Sequence, residues 1–65
     1  MNNREQLIEW MQSHQLERRE IAALVKTDRD TVDRWLLSGE SSRHLQIPDM
    51  AIELLRLKLG EDPSG

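Results

Sequence analysis

Apolar residues recur along this chain at helical spacing, and no segment alternates with period two, so helices are expected and strands are not. Leu7, Ile8, Trp10 and Met11 share one arc at about 100° per residue, which predicts an amphipathic helix over about 3–13. It should start at Asn2 or Asn3. Asn3 and Gln6 have capping-box spacing, and His14-Gln15 should close the helix. Leu16 and Ile21 then have the spacing of a hydrophobic staple around Glu17 and Glu20, predicting a second helix over about 18–25. Glu is a poor cap by rank, but its charge suits the positive end of the helix dipole. The device recurs with Thr27 as flank, Asp28 as a strong N-cap and Val32 as staple partner. That predicts a third helix over about 29–38, with Gly39 as its left-handed cap.

Glu40 to Ile47 reads as a loop. Pro48 opens a fourth helix over about 48–59, stopped by Gly60, and 61–65 reads as a frayed tail. In this last helix Met50, Ala51, Ile52, Leu54, Leu55, Leu57 and Leu59 sweep roughly 220° of the helical wheel, leaving Glu53 and Arg56 polar and Lys58 snorkelling. A helix packed on one small domain needs an arc nearer about 100°. The surplus face, assigned to Ile52, Leu55 and Leu59, is expected to pair two copies of the chain as an isologous dimer. The predicted fold class is all-α: a compact four-helix domain over 1–60, its C-terminal helix serving dimerisation.

Composition narrows the function. At 65 residues without cysteine, the chain makes one small domain with no disulfide or thiolate metal site to staple it. No signal peptide is evident, and no apolar run nears the ~18 residues of a membrane span. A soluble cytoplasmic protein is expected. The two histidines have no third ligand at metal spacing, no Ser–His–acid set suggests a nucleophile, and no Gly-rich phosphate loop exists. An enzyme, a metal, a cofactor and a small-molecule ligand are accordingly not expected. The net charge of −3 argues against a generic polyanion sponge, but local charge decides such matters.

The join between the second and third helices is the informative geometry. Lys26-Thr27-Asp28 turns the chain, and so short a turn forces a large crossing angle, roughly 90–120°. Ala22 is small where the axes approach, while Ile21, Val25, Val32 and Trp35 face the shared interior. The run IAALVKTDRDTVDRW (21–35), with Gly39 beyond, resembles the helix-turn-helix of the lambda-repressor/Cro-like superfamily. Ala22 matches the small residue of that family's second helix, Val32 the branched residue of its recognition helix, and T-V-x-R-W its interior face. The family usually has glycine where this chain has Lys26, and holding lysine in the left-handed region costs of the order of 1 kcal/mol. The layout, with PDMAIELLRLKL (48–59) after the motif, also resembles the small anti-CRISPR-associated repressors of phage. That resemblance implies a homodimer in a bacterial host cell that binds an inverted repeat and represses its own operon.

On this reading the third helix enters the major groove by its N-terminal end. With Val32 and Trp35 inward, Arg29, Asp30, Asp33 and Arg34 become the base-contacting candidates. Arginine suits the guanine edge, and an aspartate either accepts from cytosine or orients a neighbouring arginine. Arg18 and Arg19, at the start of the second helix, are phosphate candidates along with Lys26, Thr31, Arg43 and His44. Within 17–34 five bases meet five acids, so modest non-specific affinity is expected, with ~4–5 phosphates neutralised per protomer. Rival readings are a wet helix laced with i,i+4 ion pairs, a protein-binding inhibitor or antitoxin-like module using the apolar face of the last helix, and an excisionase-like factor that bends DNA.

Overall fold

Each of the four capping signals nucleates a helix: α1 (Asn3–Ser13), α2 (Arg18–Leu24), α3 (Arg29–Leu36) and α4 (Asp49–Leu59). The computed structural model describes residues 2–61, and among these there is no strand. The Cα radius of gyration, 11.2 Å, is close to the ~11 Å that a compact chain of this length adopts.

The helix starts follow their caps with one exchange. Asn2, not Asn3, caps α1, accepting from the Glu5 N–H at 2.8 Å. Asn3 instead reaches across the fold and donates to the Ile47 carbonyl and to Asp49 Oδ1, both at 2.9 Å. This ties the first turn of α1 to the entry of α4. At α2, Glu20 accepts from the Glu17 N–H at 3.0 Å. At α3, Asp28 accepts from the Thr31 N–H at 2.8 Å.

The ends show more that is new. Gln15 (φ 54°) and Lys26 (φ 61°) are both left-handed without being glycine. Each turns the chain so that the next N–H bonds back into the helix it leaves: Leu16 to the Met11 carbonyl at 2.8 Å, Thr27 to the Ala22 carbonyl at 2.9 Å. Gly60 (φ 74°) closes α4 in the same way, with the Glu61 N–H on Arg56. Gly39, by contrast, is not left-handed. Helix α3 stops at Leu36, two residues before the expected end, because Leu37 turns extended (φ −63°, ψ 153°). The orphaned carbonyls of Leu36 and Leu37 are taken by Arg4 Nε at 3.2 and 3.1 Å. Lys58 Nζ does likewise for Leu24 at the end of α2, at 2.7 Å. Both cations sit at the negative end of a helix dipole.

The core is Leu7, Trp10, Ile21, Ala22, Val32, Trp35, Ile47, Ile52 and Leu55, and no polar side chain is buried among the described residues. Ile47 comes from the loop, where the helical pattern does not look for a core residue. Ile52 (5% exposed) and Leu55 (0%) point into the domain's own core and Leu59 packs against it, so these three do not form a free face. The apolar side chains that α4 leaves outside are Met50 and Leu57, 82% and 80% exposed, with Leu54 partly covered between them. Arg56 does not stand off in solvent either: its guanidinium carbon lies 5.8 Å from the centroid of the Trp10 ring, a cation–π contact. Glu61 is tied back as well, with its carboxylate 2.6 Å from His14 Nε2; the rest of the expected tail, 62–65, lies outside the described residues.

Two predictions follow from this packing. Leu55→Ala removes a fully buried side chain and should cost roughly 2–5 kcal/mol, enough to unfold much of so small a domain, whereas Leu57→Ala in dilute solution should change stability by less than about 0.5 kcal/mol. Urea titration of the two variants checks it; equal losses would mean that α4 faces the other way. Asp28 carries a pH signature. Its hydrogen bonds with Thr31, first through the hydroxyl and then through the N–H, hold its carboxyl below the ordinary value of 3.8. A carboxyl depressed on folding stabilises above its ordinary value, and that contribution is lost as pH falls through the depressed one. Asp28→Ala should therefore melt lower than the parent at pH 7, with the gap closing in acid below about pH 4; parallel Tm curves across that range would contradict this role.

Candidate functional site

The first turn of α3 projects from the domain because Val32 and Trp35 anchor the opposite side of the helix in the core. Arg29 and Asp30 are exposed, and Asp33 and Arg34 are half-buried. The start of α2 lies alongside and brings Arg18 and Arg19. Arg18 Nη1 donates to Asp33 Oδ1 at 2.9 Å, bridging α2 and α3. Arg34 Nε lies 3.3 Å from Asp30 Oδ2 one turn away, a charge pair that lacks hydrogen-bond geometry and leaves that enclosed N–H without an acceptor. Arg19 sits 3.2 Å from Glu17, both well exposed. Arg29 makes no ion pair among the described residues.

Two shallow concavities join across this face. One, of about 270 Å³, is lined by Arg18, Asp30, Asp33, Arg34 and Arg43. The other, of about 370 Å³, is lined by Arg18, Arg19 and Arg29 with Glu17 and Met11. Arg18 belongs to both. Five arginines therefore line this surface with three carboxylates, and two more carboxylates, Glu20 and Asp28, cap the same helix starts, so the arginines cluster here without a net positive charge. Arg43, one of the expected phosphate candidates, lines the same surface from the loop after α3.

The remaining candidates lie elsewhere. Lys26 lines a groove against α4, together with Trp35 and Met50. His44 lines a depression beside Asn2, Arg4 and Gln46. Neither belongs to the arginine face. Thr31 is half-exposed, and its N–H is committed to Asp28. The Asp30–Arg34 pair was legible as an i,i+4 spacing; Arg18–Asp33, fifteen residues apart, depends on how α2 crosses α3 and has no sequence signal.

Among the described residues no group of three or more His, Cys, Asp or Glu side chains is placed to hold a metal, and no helix is long and apolar enough to cross a membrane. Comparison with protein-family models, curated proteins and solved structures found no match.

Chemically, the face can bind an extended polyanion. Arg29 is free to do so, while Arg18 and Arg34 are held by carboxylates that a phosphate would have to displace. Asp33→Asn should release Arg18 and move elution from a heparin column to higher salt, with little change in helical content. Unchanged elution would mean that the pair does not restrain the arginine.

Proposed function

We propose that the chain is a sequence-specific DNA-binding regulator, in which α2, the turn at Lys26 and α3 act as a helix-turn-helix and α3 reads the major groove. The observation that carries this reading is the arginine face itself: an unpaired Arg29 on the first turn of α3, flanked by the arginines at the start of α2. The left-handed Lys26 supports it, because it closes α2 two residues before Asp28 begins to cap α3. The sequence resemblance to lambda-repressor/Cro-like regulators and to anti-CRISPR-associated repressors of phage points the same way. On that resemblance the protein acts as a homodimer that occupies an inverted-repeat promoter site and represses its own operon.

The roles divide by geometry. Arg29 is the base-reading residue, suited to a bidentate contact with guanine O6 and N7. Arg18, Arg19 and Arg43 neutralise phosphates, with the N-terminal end of α2 adding its dipole. Asp30 and Asp33 orient Arg34 and Arg18 and weaken indiscriminate binding, because each phosphate contact has to break an internal ion pair. A protein of this kind binds random duplex weakly and depends on the correct base contacts for affinity.

Binding-site selection from a random duplex pool, followed by gel shift, tests the proposal. The expected outcome is an enriched inverted repeat with half-sites about one DNA turn apart, ~34 Å. Arg29→Ala should then lose roughly 1–3 kcal/mol and relax preference at one base position per half-site. No enrichment and no site-dependent retardation at micromolar protein would end the DNA reading. Full discrimination by Arg29→Ala would move base reading to another residue.

A further inference from the structure

The exposed apolar residues of α4 do not stand alone. They form one wall of a groove of about 660 Å³, and the α2–α3 turn with the edge of Trp35 forms the other. On the α4 wall Met50, Leu54 and Leu57 fall at i, i+4 and i+7, the spacing of a helix-pairing seam. Two of them are among the most exposed large apolar side chains described, at 82% and 80%. A face of this kind on so small a domain marks an interaction surface.

Charge indicates what covers it. Lys26 lines the groove from the turn and Glu53 lines it from α4. Both are exposed, and neither side chain has an ion pair among the described residues. Opposite charges on facing walls of one apolar groove make a surface complementary to itself. A two-fold axis through the groove sets Lys26 of one copy against Glu53 of the other, and Glu53 of the first against Lys26 of the second. We infer that this groove is the dimer interface, closed by a second copy of the chain, with Met50, Leu54 and Leu57 as its dry centre and two Lys26–Glu53 pairs at its rim. A heterologous partner would have no reason to find both charges, one on each wall. The interface takes its biological purpose from the DNA reading proposed above, and rests on that reading only to that extent.

The test uses the full chain without DNA. Light scattering behind size-exclusion, over a range of loading concentrations, should give the mass of a dimer. Leu57→Glu and, independently, Met50→Glu should give monomers that remain helical by circular dichroism, since both side chains are already in solvent. Lys26→Glu and Glu53→Lys each place like charges opposite one another and should raise the dimer dissociation constant at least about tenfold, and combining them should restore it. A parent protein that stays monomeric at high concentration would overturn the inference and leave the groove to a different protein. A dimer indifferent to the four single substitutions would place the interface elsewhere. Because no DNA is present, a failed site selection alongside an intact dimer would count against the DNA reading alone.

Discussion

The left-handed backbone at Lys26 is the constraint on which the rest of the molecule turns. With φ at 61°, the chain sends the Thr27 N–H back to the Ala22 carbonyl and at once offers Asp28 as the cap of α3. One helix ends and the next begins with no free loop between them. Ala22, buried at the join, leaves room for the two axes to approach. The orientation of α3 follows: Val32 and Trp35 go into the core, and Arg29 and Asp30 go into solvent. A lysine bears the strain that glycine would relieve, of the order of 1 kcal/mol, and the surrounding bonds hold it there.

The second economy of the fold is its use of charge. Arg4 and Lys58 occupy the carboxyl ends of α3 and α2, and Arg56 covers Trp10. These three cations are absorbed by structure. Of the other six, five gather on one face and Lys26 sits apart in the groove. The alternation of acid and base through 25–35, which in a linear reading looks like a uniformly wet helix, is therefore divided by the fold. Asp28 serves as a cap, Asp30 and Asp33 restrain arginines, and Arg29 is left free.

Much of this was legible from local chemistry. Caps and staples act within five residues, so Glu17–Glu20, Asp28 and the Leu16–Ile21 pair located helix starts to within a residue. Helix ends were less legible. Gly39 looked like a stop for α3, but the helix ends where Leu37 turns extended, and the carbonyls left there are taken by Arg4, thirty-two residues before Leu36 in the chain. The facing of α4 was not legible at all. Its apolar residues cover more than half the wheel, and nothing local distinguishes the Ile52–Leu55–Leu59 stripe from the Met50–Leu54–Leu57 stripe. That choice is made by Trp10, Ile21 and Trp35 across the core, and by Asn3 holding the helix entry at Ile47 and Asp49. Arg43 was named as a phosphate candidate, but that it, and not its neighbour His44, reaches the arginine face depends on the course of the loop.

Trp35 connects the two halves of the proposal. The residue is 5% exposed and belongs to the core, yet it lines the groove beside Met50 and Leu57. It sits on the same two turns of α3 as Asp33 and Arg34, which line the arginine face. A second copy seated in the groove would press on the residue that sets the rotation of α3. It would thereby hold Arg29 in register within its own subunit as well as placing the matching arginine of the partner. For a domain with so small a core this matters, because the helix that carries Arg29 is also one of the shortest, eight residues long. Short helices take most of their stability from packing rather than propensity. Covering the exposed side of Trp35 adds that packing at the point where α3 needs it.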